Sequence, residues 1–208
     1  MTAEPASPPG LRERKKAARA TRVLNAAEEL LAEAGSHDAV TLAQIARRAD
    51  VAEMTVFNLV GNRAQIWAAL AERALARIDP TADADMNPQV RARKLVDAVM
   101  AVIVGEGRLF RALMSSWTRT ARVVSATPAG ELAVCLADGI KQGLVVKDAD
   151  VRRLAELLSV SLVGLVHHWT AELIDDKTLR TRAGDLVDLT FAAVRTGGPP
   201  ELPGLLRH

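Results

Sequence analysis

The stretch TLAQIARRADVAEMTVFNLVGNR, residues 41–63, decides the reading of this chain. Thr41 followed by Gln44 is a capping-box pattern, and it predicts a helix over 41–48. Ile45 and Ala46 sit inside that helix, and Ala46 is small where a second helix has to cross closely. Asp50 falls where the chain must turn with a positive φ, a region that Asp tolerates better than most residues other than Gly. Val51 and Val56 supply the apolar contacts of a second short helix, 52–58. Two short helices joined by a three-residue turn make a helix-turn-helix, a motif whose second helix enters a DNA major groove.

Helical patterns continue on both sides. Upstream, Val23, Leu24, Ala27, Leu30, Leu31 and Ala34 recur at helical spacing over 12–34, and Gly35 provides a stop. The start of that helix is basic, with Arg12, Arg14, Lys15, Lys16, Arg19 and Arg22 around a single acid, Glu13. This is either a solvated, fraying helix start or an arm that neutralises phosphates. Downstream, Asn62 is an N-cap for a fourth helix with Ile66, Trp67, Leu70, Ala74 and Ile78 on one face. An acidic loop, DPTADADMN, follows it.

Asn87 then Pro88 is a cap-then-first-position signature. It opens a helix that is apolar on most sides and ends at Gly105 and Gly107. Residues 108–124 read as one amphipath, with Leu109, Phe110, Leu113, Met114, Trp117 and Val124 on one side. Arg108, Arg111, Arg119 and Arg122 lie opposite, as solvated surface or as a groove for an acidic ligand. Thr127-Pro128 opens another helix ending near Gly143, and two long helices, 149–174 and 178–195, close the pattern. With no strand-like alternation and no repeat, the expectation is an all-α chain of about nine helices. Residues 1–10 and 197–208 are Pro/Gly-rich ends expected to be disordered or flexible.

Composition narrows the function. Of 208 residues, 49% are hydrophobic and 25% charged, ordinary for a soluble globular protein, while the net charge is only +2. Nucleic-acid affinity therefore has to come from a local patch. One cysteine, Cys135, excludes an internal disulfide and reads as a small core residue. Apolar runs such as Val160–Val166 are too short to span a bilayer, so a cytoplasmic protein with no membrane partner is expected. The sequence has no nucleophile–base pair and no phosphate loop, so neither an enzyme nor a cofactor is expected. His167 and His168 are adjacent and point about 100° apart, which rules out a two-His site within one turn. His168 and Glu172 share a face, but an interface or exposed histidine is the better reading, and no metal is assigned.

The residues above resemble the TetR family of transcriptional regulators. The family's first helix is matched by Val23, Leu24, Ala26, Ala27, Leu30, Leu31 and Gly35, and its next segment by Thr41, Leu42, Ile45 and Ala46. Its recognition helix is matched by Val51, Thr55 and Val56, and later helices by Gly139-Ile140 and Gly143-Leu144. The match departs at Asp50 for Gly, Ala52 for the Ser cap, Phe57 for Tyr, Leu59 for His, Val60 for an aromatic and Arg63 for Lys.

The resemblance implies a three-helix DNA-binding domain over 18–78, with its motif at 41–60. It also implies a helical effector-binding and dimerisation domain over 79–196. Its implied DNA face holds Glu53, Met54, Thr55 and Asn58. Asn58 is suited to adenine, Glu53 to cytosine, and Met54 or the Thr55 methyl to a thymine methyl; simple packing is the other reading for Met54 and for Phe57. Gln44 reaches a phosphate or base edge. Thr41, Phe57 and Arg63 position the backbone, with Arg19 of the basic arm, Arg47 and Arg48 compensating for lost phosphate contacts.

By the same resemblance the effector cavity is expected from Val96, Met100, Val104, Phe110, Leu113, Met114, Trp117 and Trp169, an apolar wall suited to a small hydrophobic effector; simple core filling is the other reading for each of them. The dimer interface is expected at Leu154, Leu158, Ser161, Leu165, Leu186 and Leu189. Together these imply a ligand-responsive repressor, a homodimer on a palindromic double-stranded operator that its effector releases. The alternative is a helical dimer of the same fold in which DNA binding is weak or lost.

Overall fold

A computed structural model of the chain describes residues 10–34, 37–79, 85–115 and 121–197. Among the described residues there are nine α-helices and one 3-10 turn, and the chain divides into two compact units, the first ending at Leu70 and the second beginning at Ala71. The Pro/Gly-rich ends, apart from Gly10 and Gly197, lie outside the described residues, as do Gly35, Trp117 and Arg119.

The first unit opens with α1 (Leu11–Glu33), which buries Val23, Ala26, Ala27 and Leu31 and leaves residues 11–19 exposed. The Gly10 N–H donates to Glu13 at its start. After the 3-10 turn His37–Ala39 comes α2 (Leu42–Arg48). The capping box forms as its sequence predicts: the Gln44 N–H donates to Thr41 Oγ1 (3.2 Å) and the Thr41 N–H to Gln44 Oε1 (2.7 Å). Asp50 turns the chain with φ +54°, and the Val51 N–H returns to the Ala46 carbonyl at 3.0 Å. Helix α3 (Glu53–Leu59) follows, starting at Ala52 with no side-chain cap. Ile45 and Val56 are fully buried, and the α1, α2 and α3 helices pack against one another.

Gly61, at φ +109°, ends the motif, and a Cβ there would lie 2.1 Å from the Gln65 carboxamide. That carboxamide is occupied by a second reciprocal cap. The Asn62 N–H donates to Gln65 Oε1 and the Gln65 N–H to Asn62 Oδ1, which starts α4 (Arg63–Leu75). The boundary between the two units falls inside α4.

In the second unit, α5 (Pro88–Gly105) is capped by Asn87 and packs on α7 (Ala121–Lys141) and α9 (Asp176–Ala193). The short α6 (Gly107–Ser115) lies on α8 (Val151–Thr170), which also packs on α7 and α9. Asp150 and Asp175 cap α8 and α9 through the Arg153 and Thr178 amides. An isolated bridge between Val145 and Arg195 ties the α7–α8 link to the chain after α9. Gly139 makes room for it, since a Cβ there would sit 2.7 Å from the Val145 side chain.

Of the amphipath expected over 108–124, residues 116–120 lie outside the described residues; α6 ends at Ser115 and α7 starts at Ala121. Thr127-Pro128 therefore lies within α7 rather than at its start. Proline removes one donor from a helix but does not mark where the helix must begin.

Polar side chains fix two of the helix contacts. Arg91, 7% exposed, donates from Nη2 to Asp138 (2.6 Å) and from Nε to Cys135 Sγ (3.3 Å), joining α5 to α7. Gln89 and Arg93 both donate to Asp188, joining α5 to α9.

Candidate nucleic-acid interface and ligand cavities

The outward face of α3 follows from the burial of Val56. With that side chain turned into the unit, Met54 (68% exposed), Phe57 (53%), Glu53 and Asn58 point away from it, while Thr55 and Leu59 are half-buried. The fold thus brings together Glu53, Met54, Phe57 and Asn58. Packing accounts for neither Met54 nor Phe57.

Other residues expected at DNA are drawn into contacts within the unit. Arg48 makes a two-pronged pair with Glu33 (3.0 and 2.8 Å) and a third bond to Glu29 (3.2 Å), tying α2 to α1. The hydrogen bond to Glu33, then that to Glu29, raises the Arg48 pKa further, and the bond from Arg48 holds the Glu33 carboxyl below its ordinary value. Arg48 is thus a clamp between two helices with its charge already matched, and not the spare cation its sequence suggests. Arg63 reaches back to the Asp38 carboxylate and to the Asp38 and Val40 carbonyls, all at 3.4 Å, and so brackets the turn before α2. Gln44 spends its carboxamide oxygen on Thr41, whose hydroxyl also donates to it at 2.9 Å. Thr41, Arg47 and Arg19 are exposed, and so are the other basic residues of the first turns of α1.

In the second unit, Val96, Met100, Phe110, Leu113, Met114 and Trp169 are buried and Val104 is half-buried; Trp117 lies outside the described residues. Trp169 also lines a cavity of about 590 Å³, together with Arg111, Glu172, Ile174 and the start of α9. The Arg111 guanidinium lies 4.6 Å from the centre of the Trp169 ring, and the indole N–H donates to Asp176 at 2.7 Å. Arg111 is therefore not a solvated member of an arginine stripe. A guanidinium over an indole face gains from the ring quadrupole, and the Arg111 Nε is buried there with no hydrogen-bond partner among the described residues.

Among the residues expected at a dimer interface, Ser161 is exposed and Leu154, Leu165, Leu186 and Leu189 are half-buried. Leu158 is 4% exposed in the single chain, so its side chain belongs to the unit's own core. The outward stripe of α8 carries instead Leu157 (58% exposed) and Val160 (65%), with Ser161, Gly164 and His168. An open groove of about 400 Å³ runs between that stripe and Arg182, Asp185, Leu186 and Leu189 of α9. Sequence reasoning missed Leu157 and Val160, although the spacing 157, 161, 164, 168 is itself helical. His167 and His168 are exposed, and Glu172 lies beyond α8 with φ +60°, off the helical spacing that would set it beside His168.

No family model matches the sequence, and no curated protein matches it at a significant level. Solved structures do. RolR, solved in complex with resorcinol, is 18% identical with a TM-score of 0.65, over 88% of this chain and 90% of that one. A TetR transcriptional regulator from Rhodococcus sp. RHA1 is 20% identical at 0.61, over 86% and 97%. The R. erythropolis repressor QsdR, from the TetR family, is 18% identical at 0.57, over 86% and 97%.

The fold is that of the TetR regulators. Within the TetR fold, α2, the turn at Asp50 and α3 are the helix-turn-helix, and the helices from α5 to α9 make up the C-terminal domain. QsdR is named a transcriptional repressor and the Rhodococcus protein a transcriptional regulator. Among the described residues there is no cluster of side chains that could hold a metal ion, and no helix long and apolar enough to cross a membrane.

Proposed function

We propose that this protein is a ligand-responsive transcriptional repressor that binds a palindromic operator as a homodimer in the cytoplasm and is released by a small hydrophobic effector. The observation that carries the reading is the outward face of α3, held by buried Val56 and followed by a capped α4, with the exposed basic turns of α1 in the same unit. Binding energy that does not depend on sequence then comes mainly from that arm. The apolar interior around Met100, Phe110 and Leu113 supports an apolar effector, and RolR offers a solved case of this fold holding a small aromatic molecule. Leu157, Val160 and the α8–α9 groove support pairing of two copies. The effector acts by shifting the population between dimers that fit DNA and dimers that do not.

A second reading is favoured by Arg48 and Arg63, whose cations are engaged within the unit, and by Glu53 on the DNA face. On that reading the dimer binds its ligand but only weakly binds DNA. One titration separates the two: the purified dimer against duplex from its own upstream region, at several salt concentrations. Tighter binding than to random duplex supports the repressor. Equal binding at every salt leaves the second reading.

A further inference from the structure

The exposed face of α3 has a chemistry of its own. Successive helix residues are about 100° apart, so Phe57 lies about 60° to one side of Met54 and Asn58 about 40° to the other. Two large apolar side chains, 68% and 53% exposed, thus stand side by side with a carboxamide at one edge. Val56, fully buried, fixes this arc outward. The helix carries one charge, Glu53, and it is negative. Such a face repels phosphate and gains nothing from water. In a major groove the base feature that rewards apolar contact is the C5-methyl of thymine, and a carboxamide pairs in two-pronged fashion with adenine N6 and N7.

We propose that α3 reads A·T pairs chiefly through thymine methyl groups: Met54 and Phe57 cover neighbouring C5-methyls while Asn58 takes the adenine edge. This rests on the DNA-binding reading above and specifies what that site recognises. It moves Phe57 from a backbone-positioning role to base readout. It also divides the work of binding, since the arm of α1 supplies charge and α3 supplies shape and methyl contact.

The test uses the full-length dimer. Duplexes are first selected from a random library, and each thymine of the selected half-site is then replaced by deoxyuridine, which removes only the methyl. At the contacted thymines affinity falls about four-fold per methyl, the worth of one buried carbon. In Met54→Ala and Phe57→Ala, both surface changes that leave the fold intact, sensitivity to one or the other uracil disappears. In Asn58→Ala the adenine preference relaxes while uracil sensitivity stays. Selection of a defined sequence that is bound equally with thymine or uracil overturns the methyl readout and leaves the regulator standing. Undiminished uracil sensitivity in both Met54→Ala and Phe57→Ala overturns the assignment to these residues. A library that yields no preferred sequence overturns the DNA-binding reading and this inference with it.

Discussion

Arg91 and Asp138, forty-seven residues apart, meet across 2.6 Å between α5 and α7, with the Cys135 thiol on the same guanidinium. The hydrogen bond from Arg91, aided by Lys141, holds the Asp138 carboxyl below its ordinary value of 3.8, while burial pushes the Cys135 thiol up. A carboxyl whose folded pKa is depressed contributes stability that is complete above its unfolded value and is lost as pH falls through the folded value. Asp138 thus stabilises the fold above about pH 4 and releases that contribution in stronger acid. We expect Asp138→Asn to cost about 2 kcal/mol near neutral pH and to flatten the acid limb of the unfolding curve. Urea titrations of both proteins between neutral pH and strong acid measure this, and a parallel offset at every pH would show that the pair does not titrate.

Ser159 is 2% exposed, and among the described residues its hydroxyl has no hydrogen-bond partner. A buried donor left unmade carries its full desolvation cost, of order 1–3 kcal/mol. Ser159→Ala removes that cost and leaves little void, so the variant should unfold at the same temperature or up to a few degrees higher. A lowered midpoint in a thermal scan would mean that the hydroxyl has a partner after all.

Asp50 holds φ +54° at the turn between α2 and α3. The left-handed region costs L-residues roughly 1–2 kcal/mol, less for Asp, and nothing for Gly. Asp50→Gly should therefore be neutral or stabilising. Asp50→Val should lose about 1–2 kcal/mol, because a β-branched side chain is strained there. Equal stability of the two variants by denaturant unfolding would place the turn in another conformation.

The division between arm and α3 has a salt signature. Each phosphate contact contributes a slope of about 0.9 in log affinity against log salt. Arg19→Ala should weaken binding alike for all sequences and reduce the slope by about one contact. Met54→Ala should leave the slope unchanged and weaken only the preferred sequence. An unchanged slope in the Arg19 variant would remove that residue from the phosphate contacts.

Leu157 and Val160 stand out from α8 while Leu158 faces inward. On the proposed pairing, Leu157→Glu should give a monomer where the unaltered protein scatters light as a dimer, without loss of helicity. Leu158→Ala should leave a cavity and cost about 2–5 kcal/mol with assembly less affected. A Leu157→Glu protein that remains dimeric would move the interface elsewhere.

Local features were legible because their partners lie three or four residues away. Thr41 with Gln44, Asn62 as a cap, Asn87 before Pro88 and the positive φ at Asp50 all follow from the chain's own stereochemistry, and together with the apolar periods they determine the helices and the motif. Periodicity marks a stripe, but it does not say what covers it. Arg48, Arg63, Arg111 and Arg91 carry the same charge in the sequence, and tertiary packing alone sends them to Glu33, to Asp38, to the Trp169 ring and to Asp138. Packing likewise turned Leu158 inward and Leu157 outward. The reason is physical: a cap is a bond within one helical turn, whereas the fate of a long side chain depends on which distant helix the folded core sets beside it.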